Sequence, residues 1–150
     1  MNSDSEKNVL VINGPNLNML GKREKEVYGD ISLEIINEQL KKQAYELGLN
    51  IEFFQSNHEG NLIDKIHKSN NVIDFIIINP GALTHYSIAL LDALKSVEIP
   101  YIEVHISNIY SRESFRHNSI TATAALGGIY GLGVDSYFLA LKAAYSYLIN

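Results

Sequence analysis

Residues 72–81 of the chain read VIDFIIINPG, an apolar run that ends in turn-forming residues. Six of the first seven residues are apolar, and four of them are isoleucine. A short run that is rich in β-branched side chains and is followed by proline and glycine is typical of a strand buried on both faces of a parallel sheet. The stretch therefore predicts a central strand over residues 72–78.

Similar apolar runs recur along the chain and alternate with helical patterns. The other predicted strands are Val9–Ile12, Ile51–Phe54, Tyr101–Ile106 and, more weakly, Ala125–Leu132. The predicted helices cover residues 32–48, 61–69, 85–97 and 134–149, and Gly48 suits the end of the first. Strands and helices in this order predict an α/β fold with an open parallel sheet and right-handed crossovers. We expect a single domain over residues 9–150, after a flexible tail at residues 1–8.

The last predicted helix is apolar around nearly its whole circumference. Residues 137–149 read YFLALKAAYSYLI and leave only a thin polar stripe. A helix of this kind is buried, either in the core of its own subunit or against another subunit. The pattern does not distinguish these two arrangements.

Composition excludes several classes of function. The 150 residues carry 12 basic and 17 acidic side chains, a net charge of −5, so we expect no general affinity for nucleic acid or for an anionic membrane. The absence of cysteine excludes disulfides, thiolate catalysis and cysteine-based zinc sites. The first residues, MNSDSEKN, lack the apolar segment of a signal peptide, and a cytoplasmic location is the default expectation.

Polar residues follow the predicted strands at the edge of the sheet where open α/β folds bind ligands. They include the segments NGPN (13–16), QSNHE (55–59) and NPG (79–81), and the residues Thr84, His85, Glu103, His105, Ser107, Asn108, Arg112 and Arg116. Any one of them could be an ordinary turn residue, but together they predict a functional site. The phosphate-loop motif, the GxSxG elbow and HExxH are absent, and the glycines of residues 127–133 do not fit a dinucleotide-binding turn.

Two pairs of residues suggest acid–base chemistry. Tyrosine titrates near pH ~10, but a neighbouring guanidinium favours the tyrosinate, and Arg23 lies five residues before Tyr28. Glu103 and His105 are two apart on a strand, where a carboxylate can hold an imidazolium as an acid. Tyr28 could instead simply pack its loop against the protein. A metal site built from Glu103, His105, His85 and Asp92 is a further alternative.

The chain resembles a known family at several blocks, which occur in the order and spacing of that family. INGPNLNMLG, REKEVYG, NPGALTH, IEVHISNIYSRESFRHNS and GLGVDSYFLAL look like the signature blocks of type II 3-dehydroquinate dehydratases, from about Val9 to Ala143. The resemblance implies a flavodoxin-like, five-stranded parallel sheet in the order 2-1-3-4-5, with helices on both faces. It also implies trimers assembled into a dodecamer. The expected reaction is the reversible dehydration of 3-dehydroquinate to 3-dehydroshikimate, without a cofactor or a metal.

The resemblance also implies a role for individual residues. Tyr28 would be the base, with its pKa lowered by Arg23, and His105 would be the acid, paired with Glu103. Asn16 would hold a water against the developing enolate oxygen. The remaining contacts would come from Asn79 with the backbone N–H groups of Ile106 and Ser107 for the carboxylate, from His85 and Arg116 for the ring hydroxyls, and from Asp92 of a neighbouring subunit. Residues 21–30 would form a lid that excludes water.

Two other classes of function stay open at this stage. A flavodoxin-like binding module would use the same strand-end residues for a small ligand or a partner, but it would not need a base and an acid together. A metal hydrolase built on Glu103, His105 and His85 would lose its activity to chelators. Leu83, Tyr86, Leu91 and the pair Tyr110-Ser111 depart from the usual pattern of the family, and none of them is a matched catalytic position.

Overall fold

The computed structural model describes residues 5–22 and 30–150. Arg23 and Tyr28 lie outside the described residues. The strands are β1 (Asn8–Asn13), β2 (Asn50–Gln55), β3 (Phe75–Asn79), β4 (Tyr101–His105) and β5 (Gly127–Tyr130). The α-helices of the described part are α1 (Leu33–Leu47), α2 (Glu59–Lys68), α3 (Ile88–Ser96) and α4 (Asp135–Ile149).

The five strands form one parallel sheet in the order β2-β1-β3-β4-β5, so the predicted topology is confirmed. Asn13 at the end of β1 is level with Gln55 on one side and with Asn79 on the other. The carboxyl ends of the three strands therefore meet at the same height. The chain order reverses between β1 and β3, and this is the position where sheets of this topology bind ligands.

The core lies on both faces of the sheet, as the apolar runs predict. On one face, Val11 and Ile77 pack with the buried residues of α1 and α4. On the other face, Ile12 and Ile78 pack with the buried residues of α2 and α3. All five residues of β3 are buried. Each fully buried isoleucine contributes roughly 1.5–3 kcal/mol to folding, so β3 is the structural centre of the domain.

Several element boundaries differ from the sequence prediction by one to three residues, and those of β3 and α3 have a local reason. β3 begins at Phe75 and not at residue 72, because the N–H groups of Val72 and Ile73 bond to the carbonyl of Ser69 in a turn. α2 begins two residues earlier than predicted, at Glu59. α3 begins at Ile88, because the preceding residues Gly81–His85 form a 3-10 turn. The end of α1 agrees with the prediction, and Gly48 has a left-handed conformation there, with φ 73°.

The final helix buries only one side within this chain. Ser136, Tyr137, Ala140, Leu141 and Ala144 are buried against the sheet. Exposed apolar residues elsewhere on the helix are Leu139, Tyr147 and Ile149. Among residues 5–22 and 30–150, none of the helices is long and apolar enough to cross a membrane.

Candidate active site

A cleft of about 150 Å³ opens at the carboxyl edge of the sheet. Its described lining comes from the segments after β1, β3 and β4 and from the 3-10 turns that follow β4. The lining residues that were predicted from the sequence as site residues are Asn16, Asn79, His85, His105, Ile106, Ser107 and Arg116. The structure thus brings seven of the predicted residues to one cavity at the reversal point between β1 and β3.

Glu103 and His105 form a buried pair at the side of this cleft. Both lie on β4, two residues apart, so their side chains point to the same face of the sheet. The His105 Nε2 atom lies 2.8 Å from Oε2 of Glu103, and the two residues are 8% and 2% exposed. Because an ionised carboxylate can only accept, Nε2 donates this bond. The Nδ1 atom is therefore the ring nitrogen that can serve a substrate in the cleft.

The environment of Glu103 keeps its carboxyl group ionised. Burial opposes the charge, but the hydrogen bond and the positive charge of His105 and the hydroxyl donors Ser119 and Thr121 outweigh it, so the pKa of Glu103 is lowered. Thr84 Oγ1 also donates to Oε2, at 2.8 Å. A carboxylate that is buried and still ionised is a strong partner for an imidazolium, since little water screens the attraction.

Asn79 is fixed by two bonds that orient its amide. Its Oδ1 accepts from the backbone N–H of Gly81 at 3.1 Å, and its Nδ2 donates to the Tyr137 hydroxyl at 3.0 Å. The Tyr137 hydroxyl donates in turn to Asn13 Oδ1 at 2.5 Å. Burial raises the pKa of Tyr137, against the effect of the Asn79 bond, so the phenol stays neutral. Nδ2 of Asn79 has a second proton, which can reach a carboxylate in the cleft.

Asn16 begins the 3-10 turn Leu17–Met19 in a left-handed conformation, with φ 71°. Its backbone N–H donates to Oδ1 of Asn57 at 2.9 Å, and Asn57 also receives a bond from Gln55 at the end of β2. Asparagine tolerates this backbone region better than most residues. The two bonds tie the turn after β1 to the end of β2, and the exposed Asn16 side chain borders the cleft.

Cationic and imidazole groups line the outer part of the cleft. His85 Nδ1 lies 2.7 Å from the carbonyl of Asn118, so Nδ1 donates and Nε2 is left as an acceptor for a substrate hydroxyl. Arg116 bonds to Glu113 at 3.1 Å, and Arg112 Nη1 bonds to Ser107 Oγ at 3.4 Å. Two guanidinium groups around a small cavity favour an anionic ligand.

The remaining predicted residues fall in different places. Ile106 and Ser107 follow β4 directly and line the cleft. Asp92 lies on an exposed position of α3 and is not among the described residues that line the cleft. Arg23 and Tyr28 lie outside the described residues. The roles of all these residues stay predictions.

The alternative metal site finds no support in the described residues. Within residues 5–22 and 30–150, no three histidine or carboxylate side chains come together in a way that could hold a metal ion. Two members of the alternative metal site, Glu103 and His105, bond to each other.

Sequence reasoning assigned no role to four residues that now stand out. Arg112 was predicted only as one of the polar residues after the strands, without a role of its own, and it lines the cleft together with Arg116. Ser119 and Thr121 reach Glu103 from a segment that is 16 and 18 residues away in the sequence. Tyr137 reaches Asn13 across 124 residues. These long-range contacts leave no local sequence signal.

Comparison with known proteins places the chain among dehydroquinases. The family model described as dehydroquinase class II matches residues 7–145. A 3-dehydroquinate dehydratase of Caldicellulosiruptor bescii is 59% identical over 138 residues, which cover 91% of this chain and 95% of the relative. The type II dehydroquinase structure from Butyrivibrio crossotus has a TM-score of 0.90 at 48% identity and covers 92% of this chain and 97% of that one. The corresponding structure from Propionibacterium acnes has a TM-score of 0.90 at 41% identity and covers 95% and 99%.

Proposed function

The chain belongs to the class II dehydroquinase family and is an enzyme of that family, and from this membership we propose its substrate and mechanism. The proposed reaction is the reversible dehydration of 3-dehydroquinate to 3-dehydroshikimate. The observation that carries the mechanism is the buried Glu103–His105 pair, which borders a cleft with two arginines. A histidine acid next to an anion-binding site suits the loss of a hydroxyl group from a small carboxylate substrate.

His105 is the acid of the proposed mechanism. The ionised Glu103 holds the imidazolium through Nε2, so the proton on Nδ1 is the one available to the leaving hydroxyl. When this proton is transferred, the carbon–oxygen bond breaks and water leaves. Glu103 then faces a neutral imidazole. Proton transfer of this kind typically increases the rate of a reaction by about 10²–10⁴-fold.

Tyr28 is the proposed base, with Arg23 favouring its ionised form. The tyrosinate takes a proton from the carbon next to the ketone and gives an enolate, which then expels the hydroxyl group. Asn16, at the described edge of the cleft, is proposed to hold a water against the enolate oxygen. This assignment is supported by the family membership, because both Arg23 and Tyr28 lie in the matched range of residues 7–145.

The substrate carboxylate is proposed to bind to Asn79 and to the backbone of Ile106 and Ser107. His85 and Arg116 are proposed to contact the ring hydroxyls. The positions of these residues support the proposal, because all five line one cavity. In addition, hydrogen bonds hold the amide of Asn79 and the ring of His85 in fixed orientations.

Assembly is a further part of the proposal. We propose that the subunits form trimers that pack into a dodecamer, and that Asp92 reaches the cleft of a neighbouring subunit. Two observations support this: Asp92 is exposed on α3, and two apolar residues at the start of this helix, Tyr86 just before it and Ile88 as its first residue, are also exposed, at 64% and 62%. A cytoplasmic enzyme with one catalytic domain over residues 9–150, acting in the shikimate route or in quinate breakdown, completes the proposal.

The direct test is an assay of the purified protein with 3-dehydroquinate. The product contains a conjugated enone, so turnover appears as an increase in ultraviolet absorbance. Failure to form this product at every pH tested would contradict the proposed function. Chelators should leave the rate unchanged, because the proposed mechanism uses no metal. Borohydride with substrate should not label a lysine, because no Schiff base is involved.

Variants of the acid and the base test the two roles separately. His105→Ala and Tyr28→Phe should each lower kcat by about 10²–10⁴, with much smaller changes in the binding of a substrate-like carboxylate. His67→Ala is a matched control, since this histidine lies near the end of α2, away from the described cleft lining. A Tyr28→Phe enzyme with a normal rate would refute the base assignment alone.

A further inference from the structure

Three hydroxyl groups surround the carboxylate of Glu103, and none of them belongs to the described residues that line the cleft. Thr84 comes from the 3-10 turn after β3, and Ser119 and Thr121 come from the segment before β5. Thr84 Oγ1 and Ser119 Oγ donate to Oε2 of Glu103 at 2.8 and 2.6 Å, and Thr121 donates to Oε1. We call Thr84, Ser119 and Thr121 the hydroxyl cluster.

The three hydroxyl groups of the cluster are closely packed and largely buried. Thr84 and Thr121 are both 0% exposed, and Ser119 is partly buried. The Thr84 hydroxyl lies 2.6 Å from that of Ser119 and 2.7 Å from that of Thr121. The backbone joins the same two segments, because the Ile120 N–H donates to the Thr84 carbonyl. These contacts fix the three hydroxyl oxygens relative to β4.

The four donors around Glu103, three of them at Oε2, suit an ionised carboxylate. A carboxylate has about four lone-pair sites and no proton to donate. Glu103 receives three bonds at Oε2, from His105, Thr84 and Ser119, and one at Oε1, from Thr121. A protonated carboxyl group would bring a proton that needs an acceptor, and it would accept fewer bonds. The cluster therefore suits the charged form of Glu103 and contacts both oxygens of its carboxylate.

We propose that Thr84, Ser119 and Thr121 are positioning residues for the acid of the reaction, which keep Glu103 ionised and hold its Oε2 against His105. The proposal rests on the proposed function, since it takes His105 to be the acid. The cluster acts through Glu103 and does not touch the substrate. In this proposal the acid is a unit made of His105, Glu103 and the hydroxyl cluster. The unit joins β4 to the turn after β3 and to the segment before β5.

Among the described residues, the charged and titratable groups around this unit can be named, and a pH test must take account of them. Tyr101 lies on the same strand as Glu103 and donates to the carbonyl of Thr121. His85, Arg112 and Arg116 face the cleft side, and His105 contacts Glu103 directly. The arginines stay charged throughout. Changes on the acid side of a pH profile therefore report Glu103, the histidines, Glu113 beside the arginines and the proposed base Tyr28, and the variants below alter the donors of Glu103 alone.

The test removes one hydroxyl at a time and follows kcat against pH. Thr84→Val, Thr121→Val and Ser119→Ala each remove one donor to the charged form of Glu103, which raises the pKa of this carboxyl group. We expect the acid limb of the kcat profile to move up by about one pH unit in each variant, because the pair is lost at a higher pH. The KM should change by less than about threefold, since the cluster makes no substrate contact.

Conservative and matched variants separate positioning from packing. Thr84→Ser and Thr121→Ser keep the hydroxyl and should restore the normal acid limb. Thr123→Val removes a threonine hydroxyl in the same segment that, within the described part of the chain, bonds to the carbonyl of Ile120 and not to Glu103, and it should leave the profile unchanged. If the valine variants do not fold, Ser119→Ala still tests the idea, because Ser119 is only partly buried.

A second readout does not depend on turnover. The ¹³C signal of the Glu103 carboxyl carbon can be titrated in the ligand-free enzyme, with Glu103→Gln used to assign it. We expect the midpoint to rise in Thr121→Val and to stay at the wild-type value in Thr123→Val. Unchanged midpoints and unchanged acid limbs in all three deletions would overturn the proposal. Shifted midpoints in an enzyme that does not convert 3-dehydroquinate would instead support the cluster and contradict the proposed reaction.

Discussion

Tyr137 is a single buried residue that connects two strand ends. Its hydroxyl accepts a bond from Asn79 at the end of β3 and donates one to Asn13 at the end of β1. Both asparagines are buried, at 3% and 1% exposure, so no water can replace a lost partner without rearrangement. The orientation of the Asn79 amide, which is proposed to bind the substrate carboxylate, therefore depends on a residue of the last helix.

Replacement of Tyr137 by phenylalanine tests this dependence. Tyr137→Phe leaves two buried polar groups unpaired, which should cost about 1–3 kcal/mol in the free energy of unfolding. The KM for the substrate should rise by roughly tenfold, with a smaller change in kcat, because the loss affects binding and not proton transfer. Urea unfolding and steady-state kinetics measure the two effects.

The matched control for this substitution is on the same helix. Tyr147 is 50% exposed. Tyr147→Phe should change the free energy of unfolding by no more than about a few tenths of a kcal/mol, and it should leave the KM unchanged. A Tyr137→Phe enzyme with normal KM would show that Asn79 keeps its orientation through Gly81 alone.

At the scale of elements, the turns after β1 and β3 pack backbone against backbone. A Cβ on Gly14 would lie 2.5 Å from the carbonyl oxygen of Pro80, and a Cβ on Gly81 would lie 3.0 Å from that of Pro15. The Gly14 N–H bonds to the Asn79 carbonyl at 2.8 Å. This close approach sets the distance between the two strand ends that hold Asn16 and Asn79.

Gly14→Ala should therefore damage both stability and activity. The methyl group must push two backbone segments apart, which typically costs 1–3 kcal/mol, about the range for overpacking. The kcat/KM should fall at least tenfold, because a displacement of about 1 Å in a site residue has effects of this size. Gly60→Ala is the control, since a Cβ there meets nothing within 4 Å and alanine favours the helix α2. Equal behaviour of the two variants would refute the role of the close approach.

The secondary-structure elements of this fold can be predicted from the sequence, but the contacts between distant segments cannot. The apolar runs located all five strands, and seven predicted site residues line one cleft, because strand ends of a parallel sheet converge. The boundary of β3 was predicted three residues early, since Val72 is apolar but lies in a turn at 57% exposure. The hydroxyl cluster and Tyr137 could not be predicted, because their partners are distant in sequence and periodicity carries no information on pairing between segments.

At the scale of the whole molecule, buried tyrosines couple stability to pH. Burial, together with the negative charge of Glu103, raises the pKa of Tyr101 to about 12. Burial also raises the pKa of Tyr137. Both phenols titrate near ~10 in an unfolded chain. The folded state therefore holds these protons more tightly than the unfolded state does.

The sign of the resulting effect follows from proton binding. Below pH ~10, both states keep the phenol protons and the stabilisation is fully present. As the pH rises from about 10 to about 12, the unfolded chain releases protons that the folded Tyr101 still holds. We expect the free energy of unfolding to fall in this interval, with a slope of up to about 1.4 kcal/mol per pH unit for each buried tyrosine. Urea unfolding at a series of alkaline pH values measures this slope.

Tyr101→Phe should be less stable at neutral pH, because it loses the bond to Thr121, but its stability should fall less steeply above pH ~10. An identical slope in the variant and the parent enzyme would mean that Tyr101 contributes nothing to the alkaline transition.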